Sequence, residues 1–128
     1  MNESKIIVAV YGSLKRGFYN HHLLASSNFL SVGTVKGFEM YSLGAYPMVI
    51  EGRGSISVET FEVTPDVMAS LDRLEGFPSY YGRQIVTVET EHCPIEAWLY
   101  MGQPHQVKRQ PRVRSGCWQL NEMRSARR

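Results

Sequence analysis

The first apolar run of the chain is the feature that most restricts its fold. Residues 5–11 read KIIVAVY, a continuous and mostly β-branched stretch that ends at Gly12. An amphipathic helix would place its apolar residues three or four positions apart, and that periodicity is absent. A run without polar breaks instead predicts a strand that is buried on both faces. We therefore expect the chain to begin with a central strand of a sheet.

Four further segments have the composition of strands. Residues 35–41, 83–89 and 95–101 are β-rich and are bounded by glycine or proline. In residues 54–63 the apolar positions change phase, and a β-bulge near Glu59 and Thr60 would explain the change.

One helix has clear boundaries in the sequence. Thr64 is placed as its N-cap, Pro65 and Asp66 suit its first turn, and Gly76 suits its end. A shorter helix is expected around residues 20–26. About six strands and one or two helices, without regular βαβ alternation, predict an α+β fold with a curved sheet or small barrel.

The composition suits one intracellular domain. The chain has 128 residues, of which 43% are hydrophobic, and it has no apolar run of the roughly 18 residues that a membrane helix needs. Its N-terminal segment does not resemble a signal peptide. Cys93 and Cys117 fit neither a metal pair nor a disulfide framework, so we expect free thiols and a cytoplasmic location without membrane contact.

Charge is distributed unevenly along the chain. Residues 1–104 carry 7 Lys and Arg against 11 Asp and Glu, a net charge of −4, whereas residues 105–128 carry 7 against 1, a net charge of +6. We therefore expect a domain over residues 1–104 and a basic C-terminal tail over residues 105–128. The tail is interpreted as a solvated segment, and contact with a polyanion such as nucleic acid is the alternative.

The loop after the first strand is the first candidate for chemistry. Residues 11–17 read YGSLKRG, but Phe18 and Tyr19 stand where a phosphate-binding P-loop needs Lys and Ser or Thr. A chain that turns here can leave the N–H groups of Ser13 and Leu14 free to bind an anion or a carbonyl oxygen, as in an oxyanion hole. A tight turn without a ligand is the alternative.

Neither a serine nucleophile nor a metal site is favoured by the sequence. Ser13 lies outside any GxSxG elbow, and the histidines have no spacing typical of a triad or of a metal site. The four histidines are His21, His22, His92 and His105.

Glu75 is the second candidate, because it falls at the end of the predicted helix just before Gly76. A carboxylate there meets the negative end of the helix dipole, and burial among Leu74, Phe77 and the neighbouring tyrosines would raise its proton affinity further. Such a group could act as a general acid/base near neutral pH. An exposed surface glutamate is the alternative.

With these segments in hand, the chain resembles the γ-glutamylcyclotransferase-like superfamily, which includes the AIG2-like proteins and the γ-glutamylamine cyclotransferases. The resemblance rests on YGSLKRG at residues 11–17, AYPMVI at 45–50, LDRLEG at 71–76 and YGR at 81–83, and it covers roughly residues 6–101. It implies a small mixed β-barrel with flanking helices and a cavity that holds a γ-glutamyl group.

The resemblance also implies an activity. The enzyme would release 5-oxoproline and a free amine or amino acid from a γ-glutamyl substrate, as a cofactor-independent and metal-free transferase or lyase. By this resemblance Glu75 is the acid/base, and the loop binds substrate through the backbone of Tyr11, Gly12, Ser13 and Leu14. A binding protein without turnover and an interaction module that uses the basic tail are the alternatives.

Three further positions carry over from the family as substrate-binding residues. Tyr81 is expected to form a hydrogen bond near Glu75, Arg83 is expected to pair with a carboxylate, and Tyr46 is expected to shape the cavity. A structural ion pair with Glu59 is the alternative for Arg83. The substrate's leaving amine and the oligomeric state cannot be read from these motifs.

Overall fold

A computed structural model describes residues 6–119 of the chain. The elements confirm the predicted α+β class. In this part of the chain, no helix has the length and apolar character that would let it cross a membrane. The strands are β1 (Ile6–Val10), β2 (Asn28–Ser42), β3 (Pro47–Val63), β4 (Gly82–Val88) and β5 (Ile95–Met101), and the helices are α1 (Pro65–Glu75) and two short 3₁₀ helices, Tyr19–Leu24 and Pro104–Val107.

The first strand lies at the centre of the sheet, as its apolar run predicts. The strand order is β2-β3-β1-β5-β4, in which β1 pairs antiparallel with β3 and parallel with β5. One face of β1 is covered by α1, the first 3₁₀ helix and the loop that follows β1, and the other face is covered by the curled sheet. As a result, its residues Val8, Ala9 and Val10 are at most 3% exposed.

The sheet is curled but open, so the predicted barrel is only approximate. Its two edge strands meet at one bridge, where the backbones of Thr34 and Glu89 exchange hydrogen bonds of 2.9 and 2.8 Å. Residues 6–119 contain five strands instead of about six, and β3 begins at Pro47 and includes the predicted strand at residues 54–63.

The expected bulge at Glu59 and Thr60 is wrong. β3 pairs with β1 without interruption through these residues, and the irregularity lies on β2 between Phe29 and Ser31. Thr60 is fully buried on one face, where its hydroxyl lies 2.8 Å from the Ser31 hydroxyl, and Phe61 is buried on the other. The apolar pattern changes phase because both faces of β3 are covered here, not because a residue is inserted.

Helix α1 begins and ends where the sequence predicts. The Thr64 hydroxyl accepts a hydrogen bond from the Val67 N–H at 3.2 Å, and Gly76 ends the helix with a φ of +68°. Met68 and Leu71 are buried against the sheet. Because this face fixes the rotation of α1, the end of the helix is held at a defined place beside β1.

The segment after residue 104 packs against the domain as far as residue 119. Val107, Val113 and Trp118 are at most 6% exposed, and the backbone hydrogen-bonds to β2 and β3 at 2.8 Å. The Lys15 ammonium donates to the Trp118 carbonyl oxygen at 2.7 Å. The expected boundary at residue 104 therefore cuts through a packed segment, while residues 120–128 of the expected tail lie outside the described residues.

The meeting of the sheet edges predicts a sensitivity to substitution at Gly33. A Cβ there would lie 2.5 Å from Val88 Cγ1 and 2.7 Å from the Glu89 carbonyl oxygen. We expect Gly33→Ala to lower the free energy of unfolding by about 1–3 kcal/mol, because the edges must separate to admit the methyl group. Denaturant unfolding measures the loss, and faster amide exchange at Thr34 and Glu89 would locate it.

Gly82→Ala is the matched control. It lies in the same sheet, and the nearest heavy atom to its added Cβ is 3.9 Å away. We expect its stability to stay within about 0.5 kcal/mol of the wild type. Equal losses in both variants would contradict the importance of the edge contact.

Candidate active site

A cavity of about 490 Å³ opens where β1 ends, beside the end of α1 and the start of β3. It brings together segments that are far apart in the sequence. All of the predicted site residues except Arg83 line this cavity, and several residues that were not predicted line it as well. The lining residues are Ala9, Val10, Tyr11, Gly12, Ser13, Leu14, Tyr19, Asn20, Ala45, Tyr46, Pro47, Leu74, Glu75, Tyr80, Tyr81 and Tyr100.

The loop at residues 11–14 forms one wall of the cavity. Gly12 lies so close to Pro47 that a Cβ would be 2.9 Å from the proline Cγ, which explains a glycine directly after Tyr11. Within residues 6–119, the N–H groups of Gly12, Ser13 and Leu14 have no hydrogen-bond acceptor. They are therefore available to a ligand in the cavity.

Asn20 holds this loop in place. Its backbone N–H donates to the Ser13 carbonyl oxygen at 2.9 Å, and its side-chain amide donates to the Ser13 hydroxyl at 2.8 Å. The Ser13 hydroxyl thus accepts a hydrogen bond from an amide and has no contact with a histidine among the described residues. The ring of His21 contacts the Leu14 carbonyl oxygen instead. This arrangement suits a loop that binds through its backbone better than one that supplies a serine nucleophile.

Glu75 lies opposite as the last residue of α1. Its carboxylate has no hydrogen bond or ion pair with any residue that the structure describes. Burial raises the pKa of the carboxyl to about 7, well above the usual 4.5. A carboxyl group with this pKa can take up and release a proton near neutral pH, which is the property expected of an acid/base group.

The tyrosines around Glu75 have hydroxyl groups that are already engaged. The Tyr11 hydroxyl donates to the Tyr100 carbonyl oxygen at 2.8 Å, and the Tyr81 hydroxyl donates to the Pro47 carbonyl oxygen at 2.7 Å. Burial, followed by nearby ionisable groups that include Glu75, raises the pKa of Tyr81 far above its usual value. Tyr81 and Glu75 both line the cavity, and the Tyr81 hydroxyl bonds to the backbone of Pro47 and not to the carboxylate.

Arg83 does not reach the cavity. Its guanidinium donates to both Asp72 carboxylate oxygens, at 3.0 and 3.2 Å, and lies over the Phe77 and Trp98 rings at 4.4 Å from each. The alternative partner, Glu59, pairs with another arginine. Since Arg83 is opposite Tyr100 on β5, it faces α1, so the expected substrate-binding role does not fit its position.

Tyr100 is the main lining residue that the sequence analysis missed. It lies in β5, within a run that reads simply as a strand, and its hydroxyl donates to Asp72 at 2.7 Å. The one signal available was a tyrosine among the apolar residues of a predicted strand, because a buried hydroxyl requires a polar partner. Leu74 and Tyr80 were expected only as neighbours that bury Glu75, and Tyr19 gave no signal.

Comparisons with known proteins point to one family. The family model described as gamma-glutamyl cyclotransferase, AIG2-like, matches residues 8–120. One relative is a Methanocaldococcus jannaschii protein whose name assigns it provisionally as a gamma-glutamylcyclotransferase. It is 38% identical to this chain over 97 residues, which cover 73% of this chain and 81% of that protein.

Two solved structures have the same fold. An uncharacterised protein from Pyrococcus horikoshii has a TM-score of 0.70 and 27% identity, with 95% of each chain covered. An AIG2-like protein from mouse has a TM-score of 0.79 and 21% identity, with 91% of this chain and 90% of that chain covered. Given the extent of the family match and the close relative, the chain belongs to the gamma-glutamyl cyclotransferase, AIG2-like family.

Proposed function

We propose that this protein is an enzyme that converts a γ-glutamyl amide into 5-oxoproline and a free amine. The observation that carries the proposal is the Glu75 carboxylate. It is partly buried, it has no hydrogen-bond or ion-pair partner among the described residues, and it lies in a cavity whose facing loop has N–H groups without an acceptor in residues 6–119. Family membership supports the same class of reaction. The N–H groups would bind negatively charged oxygen, and Glu75 would move the proton.

The reaction needs no nucleophile from the protein. Ionised Glu75 takes a proton from the substrate's α-ammonium group, and the freed amine attacks the γ-carbonyl carbon of the same molecule. A C–N bond forms and closes the five-membered ring, while the carbonyl oxygen becomes an oxyanion that the loop N–H groups stabilise. The bond to the leaving nitrogen then breaks and the carbonyl re-forms as Glu75 returns this proton to the leaving nitrogen. The second proton lost by the attacking nitrogen passes to the released amine, which leaves as its ammonium ion.

The role of the cavity in this reaction is to hold one substrate conformer. Intramolecular attack is fast when the reacting atoms are kept close and aligned, and well-oriented reactions of this kind reach effective concentrations of about 10⁵ M or more. Tyr11 and Tyr81 are at most 6% exposed and have engaged hydroxyls, so they form a rigid wall. Such a wall favours a bent γ-glutamyl group over an extended one.

Replacement of Glu75 tests the proposal directly. We expect Glu75→Gln to lower the rate of 5-oxoproline release by about 10²–10⁴-fold, because the amide cannot accept the α-ammonium proton. Mass spectrometry of the products from a panel of γ-glutamyl amides, γ-glutamyl dipeptides and glutathione measures the loss. Ligand binding by the variant, followed by calorimetry, should persist.

Glu96→Gln is the matched control, since Glu96 is an exposed residue of β5 outside the cavity. Its release rate should equal that of the wild type. Full activity in Glu75→Gln, or no release from any substrate by folded wild-type protein, would overturn the proposed function.

The pH dependence of catalysis follows from the raised pKa of Glu75. The base must be ionised in the free enzyme, so kcat/KM should rise with pH and level off above an apparent pKa of about 7. An exposed glutamate would give the same rise near pH 4–5. A kcat/KM profile measured from pH 5 to 9 distinguishes the two cases. A profile in which kcat/KM has already reached its plateau above pH 5.5 would exclude Glu75 as the base.

The same pKa predicts how stability changes with pH. Between pH 4.5 and 7 the folded protein holds a Glu75 proton that the unfolded chain has lost, so stability falls as pH rises through this range. We expect Glu75→Gln to be more stable than the wild type by about 1–3 kcal/mol at pH 8 and nearly equal to it at pH 4. Denaturant unfolding at both values tests this, and an equal difference at the two pH values would contradict it.

A further inference from the structure

The mouth of the cavity differs in chemistry from its buried end. Four large side chains at the mouth are exposed: Tyr19 at 82%, Tyr46 at 37%, Leu74 at 42% and Tyr80 at 42%. We call these four residues the rim. From it we propose, resting on the proposed function, that the enzyme selects γ-glutamyl amides whose leaving amine is apolar and carries no carboxylate, and that the rim binds this amine.

The direction of the substrate follows from where the candidate reactive groups lie. The loop residue Leu14 and the wall residues Tyr11, Tyr81 and Tyr100 are at most 6% exposed, so they form the buried end. A γ-glutamyl group placed against the loop and Glu75 fills that end. The other substituent of its γ-amide nitrogen must then extend toward the mouth, where the rim surrounds it.

The charges around the cavity argue against an acidic leaving group. Among the described residues that line the cavity there is no lysine, arginine or histidine, and Glu75 supplies the one carboxylate. A carboxylate on the leaving amine would be partly removed from water without a cation to pair with, and it would approach a group that is itself ionised during the reaction.

The basic side chains nearest along the chain have other partners. Lys15 donates to the Trp118 carbonyl oxygen at 2.7 Å, Arg16 lies 3.3 Å from a Glu59 carboxylate oxygen, and Arg83 is bound to Asp72. Arg73, directly before the rim residue Leu74, donates to the Ser70 hydroxyl at 3.2 Å, and the His21 ring contacts the Leu14 carbonyl oxygen at 2.9 Å. Each would have to give up its contact to reach a substrate carboxylate. The cavity is thus built to receive an anion only at the backbone N–H groups of the loop.

The rim presents rings more than hydroxyl groups. The Tyr46 and Tyr80 hydroxyls lie 2.6 Å apart and share one hydrogen bond, and burial followed by this hydrogen bond raises the pKa of Tyr46 to about 12. The Tyr80 ring is also packed edge-on against Tyr81, with centroids 5.2 Å apart. Uncharged, mutually held rings with Leu74 beside them favour contact with aliphatic or aromatic groups.

One pair of substrates isolates the effect of the carboxylate. γ-Glutamylphenethylamide and γ-glutamylphenylalanine share every atom of the reacting end and the same phenyl ring, and they differ by the carboxylate of the leaving amine. We expect kcat/KM to be at least about tenfold higher for the phenethylamide, because an unpaired carboxylate loses its hydration at the rim. Release of 5-oxoproline by the full chain is the measurement.

A charge added to the rim should reduce this preference. Tyr19→Lys puts a cation at the most exposed rim position, and we expect it to lower the kcat/KM ratio of the two substrates about threefold or more by improving γ-glutamylphenylalanine. Ile85→Lys is the matched control, because Ile85 is 49% exposed on β4 and lies outside the cavity lining. It should leave the ratio unchanged.

The outcomes separate this inference from the proposed function. Turnover of both substrates with equal rates, or faster turnover of γ-glutamylphenylalanine, overturns the inference about the rim and leaves the cyclotransferase reaction standing. Turnover of neither, together with no release from any other γ-glutamyl substrate of the panel, overturns the reaction. In that case the dissociation constants of the two compounds, measured by calorimetry on the wild type, decide the inference: tighter binding of the phenethylamide supports it, and equal or weaker binding overturns it.

Discussion

The placement of Glu75 depends on how the Asp72 carboxylate fixes α1 to the sheet. Asp72 accepts two hydrogen bonds from Arg83 and one from the Tyr100 hydroxyl, and the stacked rings of Phe77 and Trp98 hold the guanidinium in position. A bidentate ion pair fixes direction as well as distance. The last turn of α1 is therefore held against β4 and β5, and the acid/base candidate is positioned without a hydrogen bond to its own carboxylate.

The lack of a hydrogen-bond partner for the Glu75 carboxylate among the described residues lowers the stability of the fold. A carboxylate that is partly removed from water normally gains hydrogen bonds or an ion pair. The hydroxyls around Glu75 could have supplied them, yet those of Tyr11 and Tyr81 are bound to backbone carbonyl oxygens. The fold thus keeps the proton affinity of Glu75 high at the expense of stability. Such local conflicts between stability and chemistry are typical of functional sites.

The sequence predicts the features that local chemistry determines. The central strand, the caps of α1, the turn at Gly12 and the unusual position of Glu75 each follow from a few neighbouring residues. What it could not predict depends on partners distant in the chain: Arg83 binds Asp72 because β4 faces α1, and Tyr100 joins the site because β5 lies beside β1. The prediction of a bulge near Glu59 and Thr60 was wrong for a similar reason. Tertiary packing decides whether both faces of β3 are covered, and local sequence does not show this.

The hydrogen bond from Lys15 to the Trp118 carbonyl oxygen limits how far the chain can be shortened without disturbing the candidate site. Lys15 directly follows Leu14 and is 7% exposed, so its ammonium has little access to water and needs this protein acceptor. The described part of the C-terminal segment, up to residue 119, contributes no residue to the cavity, yet it supports the loop that forms the cavity wall. A shortened chain that ends at residue 104 would leave a buried cation beside that loop without its acceptor, so the smallest unit that keeps the loop supported extends at least to Trp118.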